Sequence, residues 1–112
     1  MKKHDKPLKK ERLSLIFKIT DISPVAGLTA LTWLNLNNDQ IIDINPVAGL
    51  TALTELHLDD NQITDISPLV ENRGIGDDDI VFVTDNPLDC VEQESNIQKL
   101  LDRYVELYTD CN

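Results

Sequence analysis

Histidine and cysteine are both scarce in this chain, with two of each in 112 residues. His4 lies in a basic leading segment, so only His57 remains in the body and a zinc site lacks ligands. Basic residues are equally thin beyond the start. Seven of the ten (Lys2, Lys3, Lys6, Lys9, Lys10, Arg12 and Lys18) fall in the first 18 positions. That segment carries a net +5 (seven basic, two acidic), against −15 for the remaining 94 residues (three basic, eighteen acidic). A body so acidic repels nucleic acid. Long apolar runs are absent too: nothing is long enough to span a bilayer, and the leading segment lacks the uninterrupted apolar stretch of a secretory signal. Residues 1–18 read as a basic N-terminal tail or an imperfect cap, in which Leu8, Leu15, Ile16 and Ile19 would form one face of a capping helix.

What the chain does have is self-similarity. Residues 19–40, ITDISPVAGLTALTWLNLNNDQ, are followed by IIDINPVAGLTALTELHLDDNQ at 41–62, with 15 of 22 positions identical. A third round opens with ITDISPLV at 63 and diverges. A fixed period of this length marks stacked units, none of which buries its apolar face alone. The apolar positions Ile19, Ile22, Val25, Leu28, Leu31, Leu34 and Leu36 recur as Ile41, Ile44, Val47, Leu50, Leu53, Leu56 and Leu58. Three coils (19–40, 41–62 and 63–87) are about the minimum for a stable stack.

Leu34-x-Leu36 and Leu56-x-Leu58 alternate with polar neighbours, the period of a half-buried strand. Their leucines point inward, so Trp33, Asn35 and Asn37 point outward, as do Glu55, His57 and Asp59. Five of the seven differences between the copies fall at 33, 35, 37, 38 and 39 against 55, 57, 59, 60 and 61. The scaffold repeats while one strand face varies, as a recognition surface requires. Val81-x-Val83-xx-Asn86 restores the strand pattern after a connection slightly longer than the earlier ones, and adds Ile80, Phe82 and Thr84 to the outward face. The extra length falls in 71–79, whose two glycines and three consecutive aspartates predict a loop on the far side.

Ser23-Pro24, Asn45-Pro46 and Ser67-Pro68 place a capping side chain before a proline suited to the first helical position. Little room remains before Gly27 or Gly49, so each helix is a turn or two of 3₁₀ type.

The spacing Leu31-xx-Leu34-x-Leu36-xx-Asp39-x-Ile41, then Leu53-xx-Leu56-x-Leu58-xx-Asn61-x-Ile63, resembles the leucine-rich repeat. Its 22-residue length and ITDISPLAGL-like segments are similar to the internalin-type bacterial class, over about residues 19–90. The resemblance implies an α/β solenoid: a short right-handed superhelix with parallel strands on the concave face, 3₁₀ turns on the convex face and a C-terminal helical cap. It further implies a protein partner bound on the concave face, with no cofactor. In the family, the asparagine of each turn forms a ladder between coils. Asn61 and Asn86 fit that role, whereas a carboxylate at Asp39 has lost the amide's donor.

Residues 91–112 read as the cap. Glu92 to Arg103 is helix-like, with Ile97, Leu100, Leu101 and Tyr104 at i, i+3, i+4 and i+7, and a short strand follows at 105–108. Family members with an NPLDC-like segment close with paired cysteines, which implies a Cys90–Cys111 bridge and an oxidising compartment.

Catalysis is not expected. Glu55, His57 and Asp59 lie on one strand face, but successive same-face residues are about 6.5–7 Å apart and do not converge on one ion. Asp77, Asp78 and Asp79 lack a spaced calcium loop and read as a solvated turn. The expected function is a monomeric, non-catalytic module binding a protein, one of basic character given the acidic body. Trp33 is either a hot spot or part of the N-terminal cap, and the runner-up is a structural spacer within a longer array.

Overall fold

The computed structural model describes residues 12–14 and 20–111, and its strands follow one another in chain order within a single parallel sheet. The strands are β1 (Arg12–Ser14), β2 (Trp33–Asn35), β3 (Glu55–His57), β4 (Ile80–Phe82) and β5 (Glu106–Tyr108), in the spatial order β1-β2-β3-β4-β5. Sequential order in a parallel sheet requires each crossover to return on the same side, which makes a solenoid. The strands line the concave face of this right-handed coil. Its convex side carries 3₁₀ turns at Ser23–Val25 and Asn45–Gly49, then the short helix α1 (Ser67–Glu71). The helix α2 (Glu94–Asp102) follows β4 and packs against α1.

The apolar periodicity becomes a core of stacked ladders. Leu34, Leu56 and Val81 are aligned by strand register and are at most 1 % exposed. Ile22, Ile44 and Ile66 form a second ladder, and Leu36, Leu58 and Val83 a third, all buried. Each such side chain removed from water contributes roughly 1.5–3 kcal/mol. Leu28, on the first coil, is 44 % exposed although its counterpart Leu50 is sealed between two coils.

Four local expectations are corrected. The N-cap positions fall one residue earlier than expected, at Ile22, Ile44 and Ile66, which carry no capping side chain, so Ser23, Asn45 and Ser67 are already inside their helices. The aspartate two residues earlier acts instead: Oδ1 of Asp21, Asp43 and Asp65 accepts the N–H of Ser23, Asn45 and Ser67 at 2.8–2.9 Å. This is an Asx turn, which an aspartate reaches more readily than a serine folding back on its own helix. At Asp21 the Ser23 backbone N–H, and after it the Ser23 hydroxyl, hold the carboxyl below its ordinary value, against a smaller opposing effect of desolvation. The third convex element is α-helical rather than 3₁₀, because a longer connection leaves room for a full turn.

Beyond Glu71, where α1 ends, residues 72–79 form the expected loop of turns, but it packs against the second coil rather than standing in solvent as the aspartate run suggested. Asn72 and Ile75 are buried, and Asn72 Nδ2 donates to the carbonyls of Val47 (2.9 Å) and Leu50 (3.0 Å). Gly74 lies so close to the second coil that a Cβ there would stand 2.0 Å from the Thr51 carbonyl oxygen. Asp79 is buried and its Oδ2 accepts the Gly76 N–H, so the aspartate run is partly internal. Nor does the apolar stripe of α2 run through Tyr104. The helix ends at Asp102, Tyr104 has φ 64° and is 75 % exposed, and Leu101 is exposed, leaving Leu100 buried with Ile97 beside it. Arg103 uses that turn to donate to the Val70 and Asn72 carbonyls (2.5 and 3.1 Å), which closes the open C-terminal end of α1.

At the other end, β1 pairs Arg12 with Trp33 and Leu13 with Leu34, one position short of the repeat period. That slip puts Leu13 inward, against the core. Leu8, Leu15, Ile16 and Ile19, read as a capping helix face, lie outside the described residues.

Candidate functional site

Trp33, Glu55, Ile80 and Glu106 occupy equivalent positions on β2, β3, β4 and β5, and Asn35, His57, Phe82 and Tyr108 the next outward position. All are at least partly exposed, while the leucine or valine between them is buried in β2, β3 and β4. Alternation on a pleated strand produces this division. Asn37, Asp59 and Thr84 continue the face beyond the strand ends and are half-buried.

The outward side chains form a continuous aromatic row. His57 stacks on Phe82 with ring centroids 4.6 Å apart and 11° between planes. Phe82 stacks on Tyr108 at 4.7 Å and 9°. Trp33 crosses diagonally to His57, with centroids 5.4 Å apart and planes tilted by 52°. Rings in adjacent strands lie near the sheet's own spacing of about 4.8 Å, so stacking follows from register alone.

Two carboxylates brace this row. His57 Nε2 donates to Glu55 Oε2 at 2.6 Å, and the Tyr108 hydroxyl donates to Glu106 Oε2. Glu106 pushes the Tyr108 phenol above its usual pKa, chiefly through that hydrogen bond and then through its charge. β1 occupies the sheet edge next to Trp33, the edge that Trp33 would itself cover if it were a terminal cap.

Sequence reasoning missed Glu106 and Tyr108 as members of this face. They pair with Ile80 and Phe82 across an interval longer than one repeat and sit in the segment assigned to the cap. The alternation in Val105-Glu-Leu-Tyr was the available signal. The expected members Trp33, Asn35, Asn37, Glu55, His57, Asp59, Phe82 and Thr84 lie on this one face.

Behind the strands, Asn61 is buried: Oδ1 accepts the Ile41 N–H (3.1 Å), and Nδ2 donates to the carbonyls of Leu36, Leu58 and Asp59 at 2.9–3.3 Å. Asn86 repeats the pattern, from Ile63 N–H to the carbonyls of Leu58, Val83 and Thr84. Asp39 occupies the equivalent position in the first coil and is 6 % exposed. Just before each of these three residues the chain turns through a left-handed residue, Asn38, Asp60 or Asp85, with φ 58–61°. Asparagine and aspartate are the non-glycine residues that best tolerate that conformation. Beyond the last coil, Cys90 and Cys111 form a disulfide.

Chemically, the face offers shape, aromatic area and negative charge. Among the described residues, no three His, Cys, Asp or Glu side chains form a group able to hold a metal ion. No helix among them is long and apolar enough to cross a membrane.

A family model of leucine-rich repeats, in two copies, matches residues 29–71. Among solved structures, an internalin C2 from Listeria monocytogenes is similar at 36 % identity and a TM-score of 0.65, over 82 % of this chain and 38 % of that one. An internalin F from the same organism is similar at 36 % identity and a TM-score of 0.67, over 82 % of this chain and 27 % of that one. The chain therefore spans well under half the length of these relatives. No curated protein matches it.

Proposed function

Because this chain is a leucine-rich repeat protein of the internalin type, we propose that its concave strand face captures a protein partner and performs no catalysis. The observation that carries this reading is the row Trp33–His57–Phe82–Tyr108, four stacked or tilted rings held on a rigid sheet. Large aromatic side chains with few rotatable bonds dominate interface energetics, and here neighbouring strands already fix their rotamers. Asn35, Asn37, Asp59 and Thr84 form a polar rim around the row, as interfaces commonly have. Residues 19–90 constitute the binding stack, and residues 91–112 close its end.

The partner is a basic protein, and the module acts as a monomer. Glu55, Asp59 and Glu106 give the face negative charge, which attracts cationic surfaces and repels nucleic acid. That attraction weakens with salt, over a Debye length of about 8–10 Å at physiological ionic strength.

Trp33 is the only tryptophan, so it reports on this face directly. Addition of a partner obtained with this chain as bait shifts Trp33 emission to shorter wavelength as the indole loses water. An unchanged spectrum at saturating partner would refute concave capture.

A further inference from the structure

We propose that the concave face receives an arginine side chain of its partner between Glu55 and Glu106, over a floor made by Ile80. This rests on the concave-capture reading and supplies the chemistry of one contact within it.

Register sets the three residues side by side: Glu55 opposite Ile80, and Ile80 opposite Glu106. With strands about 4.8 Å apart, the two glutamate Cα atoms stand roughly 10 Å from each other across the isoleucine. A guanidinium donating from opposite edges of its plane spans such a gap. Each carboxylate is held toward the ring row by one oxygen, Glu55 through His57 and Glu106 through Tyr108. The second oxygen of each has no partner among the described residues. Both acceptors are thus oriented before a ligand arrives, so little side-chain entropy is lost on binding.

The floor selects among cations. Ile80 is half-buried and apolar, and the rings of His57, Phe82 and Tyr108 stack face to face, so they turn their edges outward. A guanidinium is flat, weakly hydrated and able to lie on apolar surface while donating in its own plane. An ammonium is a compact, strongly hydrated point charge that keeps its water. The aliphatic stem of arginine packs along the edges of Phe82 and Tyr108. The open face of Tyr108, on the last strand and 42 % exposed, provides a further surface for the cation. Charge complementarity points the same way, because no lysine or arginine stands on the outward positions of β2, β3, β4 or β5.

The test titrates isotope-labelled chain with the peptide acetyl-Gly-Arg-Gly-amide, with its citrulline counterpart as an uncharged isostere, and reads amide chemical shifts. Expected are salt-sensitive shifts grouped at Ile80, Phe82, Glu106 and Tyr108. Citrulline gives none, and the shifts disappear in the Glu55→Gln, Glu106→Gln double variant, which keeps a hydrogen-bond acceptor at both positions. Equal shifts with citrulline, or shifts spread over Asp77–Asp79 and Asp85, overturn the arginine seat. If the peptide shifts nothing while Trp33 still responds to a captured protein, the seat is wrong and concave capture stands. If neither responds, both fall.

Discussion

Asn61 reaches across to the Leu36 carbonyl of the preceding coil at 3.0 Å while its Oδ1 accepts the Ile41 N–H at the start of its own, so one buried amide ties the end of its coil both to that coil's beginning and to the coil before. A carboxylate at that position accepts but cannot donate, and would face several carbonyl oxygens. Asp39 occupies the equivalent place on the first coil. Asp39→Asn therefore stabilises the fold by about 1 kcal/mol, the net worth of a restored hydrogen bond. Asn61→Asp destabilises it by about 1–3 kcal/mol, since buried carbonyls lose their donor. Urea melts of the two variants check both signs, and opposite directions are the expected result.

Gly74 is fixed by its contact with the second coil. A Cβ would lie 2.0 Å from Thr51 O and 2.6 Å from Thr51 C, against backbone that has no flexible end to move. Gly74→Ala lowers stability by about 1–3 kcal/mol through overpacking. Gly27→Ala is the control, because nothing lies within 4 Å of its Cβ position. Thermal unfolding of the pair separates the two, with Gly27→Ala unchanged or slightly raised.

The Cys90–Cys111 disulfide has a sequence separation of 21. Closing a loop of that length restricts the unfolded chain by roughly 3 kcal/mol in the chain-entropy account. Reduction lowers the melting temperature by roughly 10 °C or more for a domain of this size. A Cys90→Ser, Cys111→Ser variant should melt where the reduced protein does, with no further response to reductant.

Tyr108 supplies a pH dependence. Its pKa is raised in the folded chain by the bond to Glu106 and then by that carboxylate's charge. A phenol whose folded value lies above its unfolded value near 10 stabilises the fold below that value. The contribution disappears as pH rises through the folded value. Absorbance titration should show a tyrosine ionising late, and Glu106→Gln should bring that transition back toward ordinary phenol.

How much of this the chain announces varies with the physics involved. The core ladders were legible because buried leucines must recur at the coil period, and Leu34, Leu56 and their neighbours do so. The outward set from Trp33 to Phe82 followed from strand alternation. The place of β5 in that face was missed for a reason that applies generally: Phe82 and Tyr108 are separated by more than one repeat length, which hides the equivalence that register establishes. β1 was obscured similarly by its slip of one position. Asp21, Asp43 and Asp65 were visible as a recurring D-x-[SN]-P, yet the choice between an Asx turn and a serine cap depends on backbone geometry. The contacts of Asn72, Gly74 and Arg103 are long-range and occur once, so no periodicity could expose them.

The central claim is that binding occurs on the concave aromatic row. The most direct measurement compares capture of a protein partner by three folded baits: the native chain, a Trp33→Ala, His57→Ala, Phe82→Ala variant, and an Ile42→Glu variant on the other side. Ile42 is 64 % exposed and lies outside the strands, so it serves as an apolar control position off the aromatic row. With melting temperatures matched to show that all three baits are folded, the account predicts capture by the native and Ile42→Glu chains and loss in the triple variant. Capture that survives the triple variant and disappears in Ile42→Glu would contradict it.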